Sequence, residues 1–319
     1  MTSALVEDGV RRWGLLGERP TYVNPLDEYL GATRRTRRLR LKEWLGWTLV
    51  HPELSSSMIL QDAHYLASSE LYVRDAASGR LTQHARNARG GSLRLPEMLD
   101  GSRPAIEAKG YRIAYSFGEA SGTHTVSAEI AGTDTELPVR LHLTLDGSRA
   151  SAPLSVSQPL GGRSAIYTHK RIYPVAGEMS VGDHTYVFEP GRDLAILDEH
   201  KSLLPYRTRW VWGTFATVAS DGIVGANLGE RDAEPGSQGE SCAWLPGLDG
   251  PVCVGLDAPR FVPVSGDPMS AWRVATADGR VELEFRPEGR KDVKHQLVVF
   301  GIDYSSSTEP GPARWPGGP

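Results

Sequence analysis

Short runs that alternate apolar and polar residues are the feature that most constrains the fold of this chain. The runs ELYVRD (70–75), VRLHLTLD (139–146) and RVELEF (280–285) repeat with a period of two, which is the period of a strand with one buried face. Helical periodicity is scarce, and Gly-rich turns close most of the runs. Because such strands recur along the whole chain, the sequence predicts an all-β fold built from antiparallel barrels or sandwiches, with few short helices.

Two turns have the chemistry of tight hairpins. Asp278-Gly279 lies between WRVATA and RVELEF, and Asp221-Gly222 lies between two further strand-like runs. Asp-Gly pairs supply the positive φ angles that these turns require, so we expect a β-hairpin at each position.

The length of 319 residues is large for a single core. About fifteen strands are also more than one small barrel uses comfortably. We therefore place a domain boundary near SQPLGGRS (157–164). The prediction is an N-terminal β-domain with an irregular N-terminal arm (1–160), a C-terminal β-domain (161–305) and a disordered Pro/Gly-rich tail (306–319).

Charge and cysteine content restrict the partners. The net charge of −4 gives no reason to expect a nucleic-acid partner or an anionic-membrane partner. The first twenty residues lack the apolar core of a secretory signal, and no run approaches the roughly 18 apolar residues of a membrane helix. Cys242 and Cys253 fit a reducing compartment, although they can bridge if the chain turns between them. We expect a cytoplasmic protein without stable membrane insertion.

The basic run RRTRRLRLK (34–42) alternates charge with leucine from Arg38 onward. That alternation is typical of a half-buried strand with a solvated face. We prefer this interpretation to a phosphate-binding patch.

Motifs of the common catalytic classes are absent from the sequence. It contains no GxSxG, HExxH, paired CxxC, Walker A or GxGxxG after a strand, and its nine histidines form no metal-ligand spacing. Hydrolase, kinase, nicotinamide-dehydrogenase and zinc-enzyme functions therefore lose support. Cofactor-free chemistry and simple binding both remain open.

The densest aromatic segment is YRTRWVWGTFA (206–216). Read as a strand, it places Tyr206, Thr208, Trp210, Trp212 and Thr214 on one face. Tryptophan and tyrosine with interspersed hydroxyls suit a pocket for a mostly apolar ligand, because their polar atoms need partners that an aliphatic core does not supply. A tryptophan-anchored core is the alternative.

An ionisable run, DEHK (198–201), precedes the aromatic strand. Desolvation beside an aromatic cavity raises the pKa of a carboxyl, so Asp198 is the expected proton donor, with Glu178 as the alternative. The competing interpretation is a structural ion pair of Asp198 with Arg207 or Arg209. Further upstream, Asp62, His64 and Tyr65 occur together, and we expect a hydrogen-bonded strand end there.

These segments together resemble a known family. The run from 177 to 216, with DEHKSLLPYRTRWVW (198–212) as its most specific part, is followed by GANLG (225–229) and VVFGIDY (298–304). With LKEWLGWTLVHPEL and QDAHYLASSELYVRD earlier, the pattern resembles the bacterial domain of unknown function 2804 from about residue 20 to about residue 305. This chain departs from the pattern at Glu199, where the family has glycine.

The resemblance implies a relation to lipocalin-like proteins that include carotenoid hydratases, tocopherol cyclases and Diels–Alderases of fungal decalin formation. It implies two tandem lipocalin-like β-domains that bind polyene- or isoprenoid-like ligands without metal or organic cofactor. Because one fold hosts many activities, the resemblance does not by itself assign a reaction.

The function we favour is a cofactor-independent cyclase, hydratase or isomerase, including a pericyclase, acting on a long apolar unsaturated polyketide- or isoprenoid-like molecule. A non-catalytic lipid or isoprenoid binding protein is the alternative, and a protein-binding scaffold is third. The candidate catalytic residues are Asp198, His200 and Tyr206. The candidate substrate-binding residues are Trp210, Trp212, Thr214, Lys201, Glu178, Asn227 and Tyr65.

Overall fold

The computed structural model describes residues 3–248, 250–267, 269–287, 289–297 and 300–308. Almost every regular element in these ranges is a β-strand, joined by one α-helix, α1 (Gly31–Arg40), and two 3-10 helices at Pro25–Glu28 and Gly147–Arg149. The strands are β1 (Val6–Glu7), β2 (Val10–Arg11), β3 (Gly14–Leu15), β4 (Leu41–His51), β5 (Leu54–Asp62), β6 (Leu66–Asp75), β7 (Leu81–Arg89), β8 (Ala105–Ala108), β9 (Tyr111–Ser116), β10 (Thr123–Ile130), β11 (Val139–Asp146), β12 (Leu154–Pro159), β13 (Ala165–Val181), β14 (His184–Phe188), β15 (Leu194–Leu203), β16 (Trp210–Ala219), β17 (Gly222–Arg231), β18 (Cys242–Leu245), β19 (Val252–Gly255), β20 (Pro259–Pro263), β21 (Trp272–Thr276), β22 (Glu282–Phe285), β23 (Gly289–Leu297) and β24 (Phe300–Thr308).

A large antiparallel sheet organises the chain, with the order β7-β6-β5-β4-β15-β13-β11-β10-β9-β8. The long strand β13 joins its two wings. The first part of β13 pairs with β12 and β15, and its last part pairs with β11 and β14. Gly177 lies in the last part at φ +133°, and a Cβ there would lie 2.2 Å from the carbonyl oxygen of His142. Only glycine allows β13 and β11 to approach so closely.

The sheet curls so that side chains from both wings meet in one core. Trp47 of β4 lies at its centre, with its ring 5.4 Å from Tyr173, 6.0 Å from Phe117 and 6.4 Å from Tyr115. The strict alternation of β5, β6, β9, β10 and β11 supplies the other core residues, since every second side chain points inward.

A second, four-stranded sheet, β16-β17-β18-β19, covers the outer face of β13 and β15. Ile172 and Ile196 from the large sheet pack there against Ala216, Ile223 and Trp244. Burial of each Leu or Ile side chain contributes about 1.5–3 kcal/mol. As a result, β15 is buried on both faces, which is unusual for a strand that carries four consecutive ionisable residues.

Two smaller sheets complete the described part of the chain. The sheet β20-β21-β22 packs against the other side of β16 and β17 through Phe215, Leu228 and Phe261. Strands β23 and β24 form a separate hairpin. Within the described ranges, no helix has both the length and the apolar character needed to cross a bilayer.

Several predictions are confirmed by this architecture. The fold is all-β, and hairpins join β16 to β17 at Asp221-Gly222 and β21 to β22 at Asp278-Gly279. The chain turns between Cys242 and Cys253, which lie on neighbouring strands as free thiols. Asp62 ends β5, and its carboxylate accepts hydrogen bonds from the backbone N–H groups of His64 and Gly91.

The prediction of a strand from Arg38 onward is wrong. Residues 31–40 form α1, and the strand begins only at Leu41. Arginine and leucine both have high helix propensity, and α1 buries no residue that would favour the extended state. The alternation from Arg38 onward is too short to distinguish the two-residue period of a strand from the 3.6-residue period of a helix.

The proposed boundary between residues 160 and 161 falls in the loop between β12 and β13. Hydrogen-bonded pairing crosses it, because β13 pairs with β11 and β12, and β15 pairs with β4. The division into two domains stays a prediction. The strand β24 reaches Thr308, so it enters the range predicted as a tail, and residues 309–319 lie outside the described residues.

Candidate functional site

The ionisable run on β15 is divided between two cores by strand geometry. Asp198 and His200 point toward the four-stranded sheet, and Glu199 and Lys201 point into the core of the curled sheet. The register places Lys170 of β13 opposite Asp198. We call the set facing the four-stranded sheet the Asp198 cluster; it comprises Lys170, Asp198, His200, Arg231 and Glu240.

Two donors converge on one oxygen of Asp198. The ammonium Nζ of Lys170 lies 2.5 Å from Asp198 Oδ1, and Nε2 of His200 lies 2.9 Å from the same atom. The other oxygen, Oδ2, accepts a longer hydrogen bond of 3.3 Å from the indole Nε1 of Trp44. Lys170 and His200 are buried, but the Asp198 side chain keeps 20% exposure. Asp198 is therefore the most accessible residue of the cluster, and its Oδ2 is less well hydrogen-bonded than its Oδ1.

Glu240 supplies a second carboxylate, from the segment before β18. Its Oε1 is paired with Arg231 of β17. Its Oε2 lies 3.7 Å from His200 Nε2 and 3.9 Å from Lys170 Nζ, and it has no hydrogen-bond partner among the described residues. Two carboxylates, a lysine and an arginine thus balance their charges in a buried site, as buried ionic groups must.

Aromatic side chains enclose the cluster. The Trp44 ring stacks on the His200 ring with centroids 4.2 Å apart, and Lys170 Nζ lies 4.6 Å from the centre of the Trp212 ring. Trp212 Nε1 donates to Asn227 Oδ1 at 2.7 Å, and Asn227 donates in turn to the carbonyl of Glu240. These contacts hold the indole face against the ammonium, where cation–π attraction stabilises positive charge.

The protonation states follow from burial and charge. Burial by itself would raise the pKa of Asp198, but the charge of Lys170 and the hydrogen bonds to its carboxylate hold that pKa well below its usual range. Burial lowers the pKa of His200 to about 4, although Asp198 opposes the shift. Burial likewise lowers the pKa of Lys170 against the opposing charge of Asp198. At neutral pH the site holds an ionised Asp198 and a neutral His200.

The hydrogen-bond network fixes the His200 tautomer. An ionised carboxylate can only accept, so His200 Nε2 carries the proton that is shared with Asp198. The other ring nitrogen, Nδ1, lies 3.0 Å from the hydroxyl of Thr168 and accepts from it. His200 is thereby locked between two strands.

The expectation that desolvation raises the pKa of Asp198 is wrong. Lys170, which the sequence analysis did not consider, reverses the effect of burial on the Asp198 pKa. The expected alternative, an ion pair of Asp198 with Arg207 or Arg209, is also replaced by the pair with Lys170. Within the cluster, Asp198 accepts hydrogen bonds, and Lys170 donates one of them.

The opposite face of β15 carries two separate sets of ion pairs. Glu199 accepts a bidentate pair of hydrogen bonds from Arg19 at 2.7 and 2.8 Å, and Lys201 Nζ lies 2.5 Å from Glu43 Oε1. In the second set, His64 Nε2 also lies 2.9 Å from Glu43 Oε2. All five side chains are buried or nearly so. Beside them, burial lowers the pKa of His169 to about 3. A cleft of about 130 Å³ opens on this side of β13, lined in part by Arg19, His124, His169, Arg171 and Tyr173.

The remaining predicted residues of the aromatic segment lie at the margin of the cluster or away from it. Strand β16 begins only at Trp210, so Tyr206 lies before it and is 85% exposed. Trp210 shares the face of Trp212 and is 41% exposed. Thr214, on the same face, donates its hydroxyl hydrogen to the carbonyl of Ala226.

Three predicted ligand-binding residues are not brought to the cluster. Lys201 occupies the opposite face of β15, where it pairs with Glu43. Glu178 is exposed on β13, about 26 Å along the strand from Lys170. Tyr65 lies in the turn after β5, with Lys42 Nζ 4.6 Å from its ring centre.

Sequence reasoning missed Lys170, Glu240, Arg231 and Trp44. A signal existed for Lys170, because THK (168–170) resembles DEHK (198–201) in placing ionisable residues on both faces of a strand. Glu240 belongs to GES (239–241), a run of the family pattern, but nothing in the sequence linked it to Asp198. Arg231 carried no local signal, and both residues reach the site through the pairing of β17 and β18. Among the described residues, no group of three or more His, Cys, Asp or Glu side chains is arranged to hold a metal ion.

Comparison with known proteins identifies the family. The family described as Domain of unknown function (DUF2804) matches residues 11–306. No curated protein matches the sequence.

Solved structures show more distant similarity. Kievitone hydratase from Nectria haematococca has 10% identity and a TM-score of 0.44, with coverage of 86% of this chain and 85% of the other. CghA has 10% identity, a TM-score of 0.48 and coverage of 81% and 79%. CghA with Sch210972 has 9% identity, a TM-score of 0.45 and coverage of 82% and 80%. At these TM-scores the likenesses carry no argument about the chemistry of this chain.

Proposed function

The chain belongs to the DUF2804 family, and we propose that it is a cofactor-independent enzyme of the hydratase, cyclase or isomerase type. Its substrate is a mostly apolar, unsaturated small molecule that carries an oxygen function. The observation that carries this proposal is the Lys170–Asp198–His200 arrangement, in which a buried ammonium and an accessible carboxylate share one hydrogen bond under two tryptophan rings.

Lys170 is the proton donor in this mechanism. Burial lowers its pKa, which makes the ammonium a stronger acid than a solvated lysine. It delivers a proton to an electron-rich carbon of the substrate, such as that of an enol or a conjugated alkene. The adjacent Trp212 face stabilises positive charge that develops on the substrate.

Asp198 is the proton acceptor. Its Oδ2 takes a proton from an attacking water, from a substrate hydroxyl or from an activated C–H group. The proton gained by Asp198 then returns to Lys170 across the 2.5 Å contact, so the site is restored after each turnover. Proton transfer by positioned groups of this kind contributes about 10²–10⁴-fold to a rate.

His200 positions the carboxylate rather than exchanging protons with the substrate. Its neutral ring donates to Asp198 Oδ1 and is held by Thr168 and Trp44. The indole rings of Trp44 and Trp212 favour binding of the apolar part of the substrate. The charges of Lys170 and Asp198 require an oxygen function on the substrate as a hydrogen-bond partner. Both requirements fit a polyketide- or isoprenoid-like molecule.

A non-catalytic binding protein for hydrophobic ligands is the second candidate. One observation favours it: a carboxylate whose pKa is held well below the usual range is a weak base. In that function the indole rings of Trp44 and Trp212 bind the ligand. Lys170 and Asp198 then only neutralise each other's charge.

Ligand capture tests both candidates. The protein is incubated with an extract of apolar metabolites, and native mass spectrometry identifies any molecule that stays bound. We expect a bound unsaturated molecule and, on longer incubation, its conversion to an isomer or a hydrate. A protein that captures no apolar molecule contradicts both candidates, and capture without conversion supports the binding protein.

Two buried lysines on opposite faces of the same sheet provide a matched pair, in which Lys201 is the control for Lys170. Lys170 and Lys201 each lie 2.5 Å from a carboxylate, so Lys170→Met and Lys201→Met remove equivalent ion pairs. We expect conversion per folded molecule to be lost only in Lys170→Met. Tyr206→Phe, at an exposed position, is expected to leave conversion unchanged.

A further inference from the structure

The helix α1 and the loop before β16 form an exposed basic surface beside the site. We call it the arginine patch; its residues are Arg35, Arg38, Leu39, Arg40, Tyr206, Arg207, Arg209 and Trp210. The whole chain has a net charge of −4, so this concentration of positive charge does not reflect its overall composition. It must be explained by local structure or by a partner.

The helix α1 has no core of its own to stabilise it. It buries no residue, and it begins without a side-chain cap. A helix of this length is marginal in isolation, and its five arginines repel one another at neighbouring positions. An anionic surface lying against the helix removes that repulsion.

Most arginines of the patch have no carboxylate partner in the described part of the chain. Of the five on α1, only Arg34 pairs with a carboxylate, that of Asp27, among the described residues. Arg37 lies over the ring of Tyr29. Arg35 and Arg38 are exposed, as are Arg207 and Arg209, and no carboxylate in the described part of the chain pairs with these four.

The patch also presents apolar and aromatic side chains. Leu39 is 58% exposed, and it shares a helix face with Arg35, four residues earlier. Tyr206 and Trp210 are exposed nearby. Arginine with exposed leucine, tyrosine and tryptophan is the composition of surfaces that lie in the headgroup region of a bilayer.

Strand pairing brings the two parts of the patch together. Leu203, the last residue of β15, pairs with Leu41, the first residue of β4, so α1 and the loop after β15 leave the sheet at the same end. Arg40 Nη2 donates to the carbonyl of Leu204 at 2.9 Å and joins them. The same two strands carry Trp44, Asp198 and His200.

We propose that the arginine patch docks the protein on the surface of an anionic lipid bilayer. The arginines contact the lipid phosphates and carboxylates, and Leu39, Tyr206 and Trp210 enter the headgroup layer. Docking at this end of β4 and β15 brings the bilayer, in which apolar molecules dissolve, next to the Asp198 cluster.

Vesicle flotation tests the docking with the full chain. We expect binding to vesicles of phosphatidylcholine with phosphatidylserine, little binding to phosphatidylcholine alone, and weaker binding as salt is raised. Binding that is equal on both vesicle types, or absent from both, overturns the proposal. Binding to a DNA duplex without binding to anionic vesicles also overturns it, since the partner is then a nucleic acid.

Charge variants locate the surface. Arg35→Gln with Arg38→Gln is expected to weaken vesicle binding about 25-fold, since each arginine near an anionic bilayer contributes about fivefold. The control is Arg140→Gln with Arg163→Gln, which removes the same charge from exposed positions elsewhere. Equal losses in the two variants overturn the proposal, because the effect is then one of net charge.

Fluorescence quenching tests the aromatic contact. Lipids with brominated acyl chains quench tryptophans that reach the bilayer. We expect quenching of the wild-type protein, loss of that quenching in Trp210→Phe and its retention in Trp13→Phe, which alters another exposed tryptophan. Quenching that persists in Trp210→Phe contradicts the orientation proposed here. None of these measurements depends on the catalytic activity of the protein.

Discussion

The two faces of β15 carry the same kinds of residue and hold them differently. On the inner face, each carboxylate oxygen has a close donor: Arg19 contacts both oxygens of Glu199, and Glu43 has Lys201 at Oε1 and His64 at Oε2. On the outer face, Asp198 is shared by Lys170 and His200, and its Oδ2 has only a long hydrogen bond and keeps contact with solvent. A carboxylate with close donors at both oxygens is held in place, whereas the accessible Asp198 has one oxygen with only a long hydrogen bond. The function proposed above depends on this difference between the two faces.

The largest expected effect is on conversion of the ligand, and it is confined to variants of the outer face of β15. Asp198→Asn removes the proton acceptor, so conversion of the captured ligand falls about 10²–10⁴-fold. Glu43→Gln removes the equivalent carboxylate from the inner face and leaves conversion per folded molecule unchanged. The measurement is turnover normalised to the folded fraction. Equal losses in both variants contradict the division of roles.

The second expected effect is a loss of stability on removal of a carboxylate from the inner face of β15. Glu199→Gln leaves the buried guanidinium of Arg19 without its carboxylate, which costs about 3–5 kcal/mol in the free energy of unfolding. The exposed pair of Arg112 with Glu107 is the control, and Glu107→Gln is expected to cost less than about 1 kcal/mol. Urea denaturation measures both. A cost for Glu199→Gln no greater than that of Glu107→Gln contradicts the structural role.

Acid is expected to destabilise both faces, over overlapping pH ranges. Burial lowers the pKa of His200 to about 4 and that of His169 to about 3, while both titrate near 6.5 when unfolded. The unfolded chain therefore binds more protons below pH 6.5. Stability is fully present above that pH and falls with acidification until the folded pKa is reached, by up to about 1.4 kcal/mol per pH unit for each histidine.

Histidine variants sharpen that comparison. His200→Gln is expected to flatten the dependence of unfolding free energy on pH between about 6.5 and about 4, and His169→Gln to flatten it down to about 3. Asp198 acts at lower pH, because its stabilisation is present above its unfolded pKa and is lost only as the pH falls through its depressed folded pKa. Denaturation midpoints measured across the pH range check each slope. Unchanged slopes in both variants contradict neutral, buried imidazoles.

The smallest expected effect concerns the aromatic wall. Trp212→Phe keeps an aromatic face near Lys170 and loses the hydrogen bond to Asn227, at a cost of about 1 kcal/mol in unfolding free energy. Trp210→Phe, at a more exposed position, is expected to cost less. Thermal denaturation compares the two. A larger cost for Trp210→Phe reverses the order expected from the structure.

The parts of this structure that were predictable from sequence depend on short-range patterns. A period of two identifies strands such as β6 and β11, and Asp-Gly identifies the hairpin turns, because both signals lie within a few residues. The same period also divides DEHK (198–201) between two faces, although the sequence analysis placed Lys201 in one site with Asp198 and His200. The family match over residues 11–306 confirms the resemblance found in the Asp198-to-Trp212 segment.

The parts that were not predictable depend on pairing between distant residues. Lys170 meets Asp198 across 28 residues of sequence, and Arg19 meets Glu199 across 180. No local pattern encodes those contacts, so the sign of the Asp198 pKa shift could not be derived. The prediction of a strand from Arg38 onward failed for another reason. Arginine and leucine are as compatible with a helix, which residues 31–40 form, as with an exposed strand.

Deuterium incorporation tests the central claim, that the outer face of β15 performs proton transfer, most directly. The captured ligand is converted in D₂O by the wild-type protein, by Lys170→Met and by Lys201→Met, and the product is analysed by mass spectrometry. The account predicts one deuterium at carbon per turnover for wild type and Lys201→Met, and no product from Lys170→Met. Deuterium incorporation by folded Lys170→Met at the wild-type rate would contradict it.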